Sequence, residues 1–273
     1  MTIQKCRICN SEKLKVIKRL AHHKLIECKT CGIIFLDPFP ESNKVKKQYE
    51  KDDLRNSQYY ESNRPYDIIS FAKRWKIIED VIKKRPKKIL DYGCSTGNFI
   101  EASKIRGYKV QGKELNKRSI EICKSKGFDV SSKISARDFD LIHAGDLIEH
   151  VTDPREFLTE VTDYLKPKGH LVISTPDFGN IFAHKIQIKP AEHLYYFTRK
   201  SMKRLLEEKG YKVVYIKGFS RKRSIKNLVY SSTSKIGGAG TLLKLFNGLK
   251  VHHLIDPIIS NMNDDMLVIA KKN

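Results

Sequence analysis

Four cysteines crowd the first 31 residues as two Cys-x2-Cys pairs, Cys6/Cys9 and Cys28/Cys31, separated by eighteen residues. Each pair makes a tight turn that aims two thiolates at one point, and two such turns supply the four soft ligands of a tetrahedral zinc site. A site closed by four cysteines is structural rather than catalytic. Metal binding of this kind can contribute about 10–16 kcal/mol to a module too small to fold on its own core. A second pattern is Ile89-Leu90-Asp91-Tyr92-Gly93-Cys94-Ser95-Thr96-Gly97, where an apolar run ends in an acid and turns through two glycines. Glu114 follows 23 residues after Asp91. A glycine turn lets backbone approach a ligand, and an acid about 20 residues on is placed to accept ribose hydroxyls. The spacing is neither G-x-G-x-x-G nor a P-loop. A nucleoside without phosphates fits both facts.

These residues need elements to hold them. Strand-like runs are expected at 88–91, 109–114, 128–130, 139–144, 170–174, 211–216 and 265–270, alternating with helices over about 97–106, 117–126, 154–165 and 198–210. Strands and helices alternating at this spacing predict an α/β, doubly wound, Rossmann-like sheet of seven mostly parallel strands. The short strands at 14–17 and 24–27 belong to the cysteine module. The expected organisation is a zinc ribbon over 1–36, a linker and cap helix over 37–86, and a catalytic domain over 87–273 with an insert at 219–262. The cap helix is expected at 65–84, opened by Pro65. Ribbon and domain are expected to have separate cores.

The stretch from Ile89 to Thr175 resembles the core of class I S-adenosylmethionine-dependent methyltransferases. Asp91 to Gly97 resembles the family's first motif, Glu114-Leu115-Asn116 its ribose-binding acid with neighbours, and Asp146-Leu147-Ile148-Glu149-His150-Val151 its fourth-strand motif. Glu149-His150-Val151-x-Asp153-Pro154 and Glu192-His193-Leu194-Tyr195-Tyr196-Phe197-Thr198 resemble the branch of ubiquinone-pathway and bacterial sugar or polysaccharide methyltransferases. Ser95 stands where many members have a third glycine. The resemblance implies that Asp91, Tyr92, Gly93, Cys94 and Gly97 line the methionine end of S-adenosylmethionine, that Glu114 and Leu115 meet the ribose, and that Asp146 and Leu147 lie beside the cofactor.

Methyl transfer requires the acceptor held in line and, for a hydroxyl or amine, a group that takes its proton. His193 is the expected base, because it follows the fifth strand on the carboxyl edge and imidazole titrates near neutral pH. Glu192 is expected to orient it or to bind substrate. His150 is expected to be structural.

The net charge of +22 is unevenly spread: +11 over residues 1–90, −1 over 91–180 and +12 over 181–273. A neutral centre suits a cationic sulfonium, and basic flanks suit an anionic acceptor. A small-molecule or glycan acceptor, specifically an activated or carrier-linked sugar, is the expected substrate. RNA is the alternative, since a ribbon and basic flanks also suit nucleic acid. A non-catalytic cofactor-fold module is disfavoured by the intact Asp91, Gly97 and Glu114. Lys outnumbers Arg 39 to 14, so genome composition is the competing reading of the basic flanks. No run of 18 apolar residues and no apolar leader occurs, so a cytoplasmic location is expected. The basic amphipathic segment at 242–249, within the insert 219–262, reads first as a cover packed on the core, with peripheral membrane contact as the alternative.

Overall fold

The structure, a computed structural model, describes residues 4–40, 54–181, 183, 187–190, 192–222 and 263–273, the side chains of 54–59 apart. Most of the insert expected at 219–262 lies outside the described residues, including the 242–249 segment; Phe219 itself closes a strand.

Two sheets organise the chain. The smaller has the order β1 (Leu14–Arg19), β2 (Lys24–Cys28), β3 (Ile34–Asp37) and β9 (Tyr195–Tyr196). The larger contains β4 (Ile89–Tyr92), β5 (Val110–Lys113), β6 (Val130–Ser131), β7 (Phe139–Gly145), β8 (Leu165–Pro176), β10 (Tyr211–Phe219) and β11 (Asp265–Lys272), in the order β10-β11-β8-β7-β4-β5-β6. Six strands run in one direction, and β11 runs antiparallel to both its neighbours, β10 and β8. The strand order reverses between β4 and β7, so their carboxyl ends open the crevice where such sheets bind ligands. The strands fall close to where the sequence places them: β4, β7, β11 and the second half of β8 carry the apolar runs of strands buried on both faces, whereas β10 at the edge alternates exposed and more covered residues.

The helices are α1 (Leu54–Ile82), α2 (Asn98–Ile105), α3 (Lys117–Ser125), α4 (Pro154–Tyr164) and α5 (Arg199–Glu208). Side-chain caps start three of them: Asn116 accepts from Ser119, Asp153 from Arg155 and Glu156, and Thr198 forms a capping box with Ser201. The cap helix begins eleven residues before Pro65, which lies inside it. Proline deletes one helical bond there, but tertiary contacts hold the early turns: the Asn98 side chain donates to the Tyr60 carbonyl at 3.2 Å, Arg64 pairs with Glu101, and Lys126 with Glu61 at 2.7 Å. Further along α1, Trp75 is buried, stacks on Tyr108 at 4.2 Å and donates to the Ser103 hydroxyl at 2.8 Å. Truncating it should cost about 3–5 kcal/mol. This helix covers one face of the large sheet.

The other face is covered by α4, α5 and the ribbon together. Cys6, Ile8, Cys28, Cys31, Ile33 and Phe35 pack in one continuous core with Leu194, Phe197, Met202 and Leu205. The expectation of separate cores is therefore corrected. The cause is β9, a two-residue strand too short to read from sequence, which joins the ribbon sheet through Ile34↔Tyr196 and Phe35↔Tyr195.

Candidate active site

The glycine turn after β4 is shaped by backbone that side chains disfavour. Gly93 and Gly97 have φ of +78° and +84°, and Ser95 between them has +47°. A left-handed serine costs roughly 1–2 kcal/mol relative to glycine, which is why glycine suits this position. A Cβ at Gly93 would lie 3.0 Å from Leu147, so the motif after β7 presses on the turn after β4. Glu114 ties the turn to β5: its carboxylate accepts from the backbone N–H of Ser95 at 2.8 Å, Leu115 at 2.7 Å and Asn116 at 2.9 Å. Oε1 accepts two of these bonds and Oε2 only the one from Ser95, so Oε2 keeps a lone pair for a ribose hydroxyl. Tyr92 points away from the turn and accepts from Lys113 Nζ at 2.8 Å, so it contributes only backbone there. Cys94 is buried beneath the turn with Ile100, Cys123 and Phe128, while Leu115 is exposed beside it.

Asp91 enters through a buried chain that motif reading missed. His143 Nδ1–H donates to Asp91 Oδ1 at 2.7 Å, and Arg74 Nη1–H donates to His143 Nε2 at 2.6 Å. All three side chains are buried, and Phe99 stacks on the imidazole at 3.7 Å. Burial holds the His143 pKa down, so a neutral imidazole links the guanidinium to the carboxylate. Nε and Nη2 of Arg74 are buried without hydrogen-bond partners among the described residues. An orphaned guanidinium edge is costly unless a ligand meets it, and a carboxylate such as the methionine end of the cofactor matches its fork. The glycine turn, the Glu114 carboxylate and this edge together fit S-adenosylmethionine. Asp146 is already engaged: Arg221 Nη1 donates to its Oδ2 at 2.5 Å and also grips Asp265. Desolvation raises its pKa but Arg221 and Arg74 outweigh it, leaving it low.

On the β7–β8 side lie His193, His150 and Glu149. His193 is buried, and its Nδ1–H donates to the Gln187 carbonyl at 3.0 Å, which makes Nε2 the lone-pair nitrogen. His150 donates Nδ1–H to the Glu192 carbonyl at 2.9 Å. The two rings meet edge to face at 4.9 Å, and one donor atom from each ring and one Glu149 carboxyl oxygen lie within 4.8 Å of one another. Desolvation, then the nearby Asp146 charge, push the Glu149 carboxyl up to about 8, so it is mostly protonated at neutral pH. Desolvation and the neighbouring His150 and Lys189 hold His193 well below its ordinary value, so it is neutral. The expectation that Glu192 orients His193 is not met: its carboxylate is exposed, 3.7 Å from Lys189, and only its carbonyl reaches the cluster. The backbone, not a neighbouring acid, orients the imidazole.

The four cysteines converge as their spacing predicts. Cys6 and Cys31 sulfurs are 3.6 Å apart, as are Cys9 and Cys28, and all four lie within 4.8 Å of one another. A tetrahedron with Zn–S near 2.3 Å has edges of about 3.8 Å. Each pair is followed by a left-handed residue, Asn10 and Gly32, whose N–H bonds back to the carbonyl of Cys6 or Cys28. The donor set fits structural zinc.

A profile of the methyltransferase domain matches residues 76–216. Ubiquinone biosynthesis O-methyltransferases are similar over part of the chain: that of Coxiella burnetii is 30% identical over 134 residues, covering 45% of this chain and 57% of that protein. That of Vibrio atlanticus is 26% identical over 102 residues, covering 33% and 43%. The chain spans about half the length of these curated relatives. Among solved structures, a SAM-dependent methyltransferase from Archaeoglobus fulgidus superposes with TM-score 0.53 at 22% identity, covering 78% of this chain and 99% of that one. A possible histamine N-methyltransferase from Thermotoga maritima gives 0.54 at 15%, covering 84% and 99%. With the profile spanning more than half of its length, the chain belongs to the methyltransferase domain family, in the class I S-adenosylmethionine-dependent fold.

Proposed function

We propose that the protein transfers a methyl group from S-adenosylmethionine to a small-molecule acceptor, with His193 taking the acceptor's proton. When bound, the cofactor supplies an electrophilic methyl on a cationic sulfur. The chain's own residues do the rest. The Arg74 edge meets the methionine carboxylate, Glu114 the ribose, and the Asp91–His143 chain holds Arg74 in place. The strongest support for the acceptor side is the His193 imidazole, buried and neutral with Nδ1 committed to a carbonyl. Its Nε2 lone pair is ready for the proton of a hydroxyl or amine. The neighbouring ubiquinone biosynthesis O-methyltransferases support a hydroxyl.

The acceptor carries negative charge in this proposal. The flanks are strongly basic and the centre is neutral, so a phosphate or diphosphate, as on an activated or carrier-linked sugar, has Lys and Arg to meet it. Turnover of methyl-labelled S-adenosylmethionine against fractionated cell extract tests this directly. Label in an anionic glycan or metabolite is the expected result. Label in RNA, with binding that falls steeply with salt, or in a neutral acceptor bound independently of salt, would overturn the choice of acceptor.

A further inference from the structure

The ribbon reaches into the acceptor side of the cleft. Leu36 N–H donates to the Leu194 carbonyl at 3.0 Å, one residue after His193. Tyr196 packs against Leu25, Ile34 and Leu36 of the ribbon in a small cluster with Ile188 and Phe178. From the opposite side, Leu194 and Tyr195 donate to the Glu149 carbonyl at 2.8 and 3.1 Å. The segment bearing His193 is thus held between two partners, β3 and the loop after β7. A further tie lies inside the second cysteine pair, where Arg204 of α5 donates to the Thr30 carbonyl. By contrast, the residues packed beneath the glycine turn, Cys94, Ile100, Cys123, Phe128 and Val130, include none from the ribbon.

We propose that the four-cysteine module is a clamp on the acceptor side: metal binding fixes β3, β3 fixes β9, and β9 sets the position of His193, while the cofactor cradle stays independent. The proposal rests on the zinc and His193 assignments above. Its physical basis is the difference in size between the parts. A ribbon of three short strands depends on its metal for order. A two-residue strand has no stability of its own and takes its order from what it pairs with. Removing the metal therefore loosens β3 and withdraws one of the two partners of the His193 segment. The Glu149 carbonyl, helped by the Tyr195 hydroxyl on the Thr152 carbonyl at 3.2 Å, then holds Leu194 and Tyr195.

The test uses the full chain, purified with zinc, then stripped by a chelator, then given zinc again. Hydrogen exchange read by mass spectrometry reports residues 194–197 separately from β4 and β7, and calorimetry reports S-adenosylhomocysteine affinity in the same samples. The expected result is exchange at 194–197 faster by on the order of tenfold or more in the stripped protein, S-adenosylhomocysteine affinity within about twofold, and recovery on adding zinc. Cys9→Ser, at the least buried of the four positions, should reproduce the stripped state permanently; reversible stripping stands in if that variant fails to fold. Unchanged protection at 194–197 once elemental analysis shows the metal gone would overturn the clamp. Equal loss across β4 and β7 together with cofactor affinity would also overturn it, since the metal would then support the whole fold. Neither readout depends on proton transfer by His193, so failure of the clamp and failure of that catalytic role are distinguishable.

Discussion

The two rims of the central cleft are built on different principles. The β4–β5 rim is local: the turn from Asp91 to Gly97 and the acid Glu114 lie within 24 residues, locked by the Ser95 N–H on the Glu114 carboxylate and by the Gly93 and Cys94 N–H groups on the Lys113 carbonyl. The β7–β8 rim is assembled from a distance. Glu149 and His150 follow β7, Gln187 and His193 follow β8, and β3 of the ribbon braces them from outside. A local rim binds a ligand common to a whole family. An assembled rim changes with every element that contributes to it, which is how one fold serves many acceptors.

If the rims are separable in function as in construction, substitutions on each should move different quantities. The largest effect is expected at His193. His193→Ala should lower turnover by about 10²–10⁴-fold and leave S-adenosylhomocysteine affinity within about twofold, read by steady-state kinetics beside calorimetry. A matched loss of cofactor affinity would show that the rims are not separable.

The opposite substitutions sharpen the comparison from the other side. Glu114→Ala and Arg74→Met should each weaken cofactor binding by about 1.5–3 kcal/mol, the scale of a hydrogen bond to a charged group. Arg74→Met with unchanged affinity would leave the guanidinium a purely structural part of the Asp91–His143 chain.

Glu149 offers a test by pH. Its carboxyl titrates near 8 in the fold and near 4.3 in the unfolded chain. The native state therefore holds the extra proton between those values. Stability from this group is fully present below the unfolded value and falls as pH rises through the window, being lost above about 8. Glu149→Gln should flatten that part of the stability profile. Parallel profiles for the two proteins from pH 5 to 9 would contradict the buried neutral carboxyl.

The smallest effect is expected at Ser95. Ser95→Gly relieves a left-handed serine but adds freedom to the unfolded chain, so the net change should stay within about 1 kcal/mol, seen as a small shift in Tm with cofactor affinity unchanged. A large loss of affinity would mean that the serine hydroxyl meets the ligand.

The difference between the rims also explains what was legible in the sequence. The cradle was readable because its parts are contiguous and its backbone demands, glycine at positive φ and an acid at the next strand end, leave residue-type signatures. Arg74 and His143 left a fainter one: a charged residue on the apolar face of α1 between Phe71 and Ile78, and a histidine inside the apolar run Phe139–Ala144. Both were polar residues at buried positions, where a partner is required. The protonated Glu149 was not readable, because its burial comes from segments far apart in the chain. The shared core of ribbon and domain was hidden in a strand of two residues. The early turns of α1 were hidden behind Pro65, where tertiary contacts outweigh helix propensity.

The central claim is that this chain holds S-adenosylmethionine on a local rim and activates its acceptor on an assembled one. Titration of S-adenosylhomocysteine into the native protein, His193→Ala and Glu114→Ala by calorimetry tests it most directly. The predicted result is binding in the low-micromolar range, roughly −8 kcal/mol, the same in His193→Ala and at least tenfold weaker in Glu114→Ala, with the ratio following the loss of a charged hydrogen-bond partner. No binding by the native protein, or equal binding by all three, would contradict it.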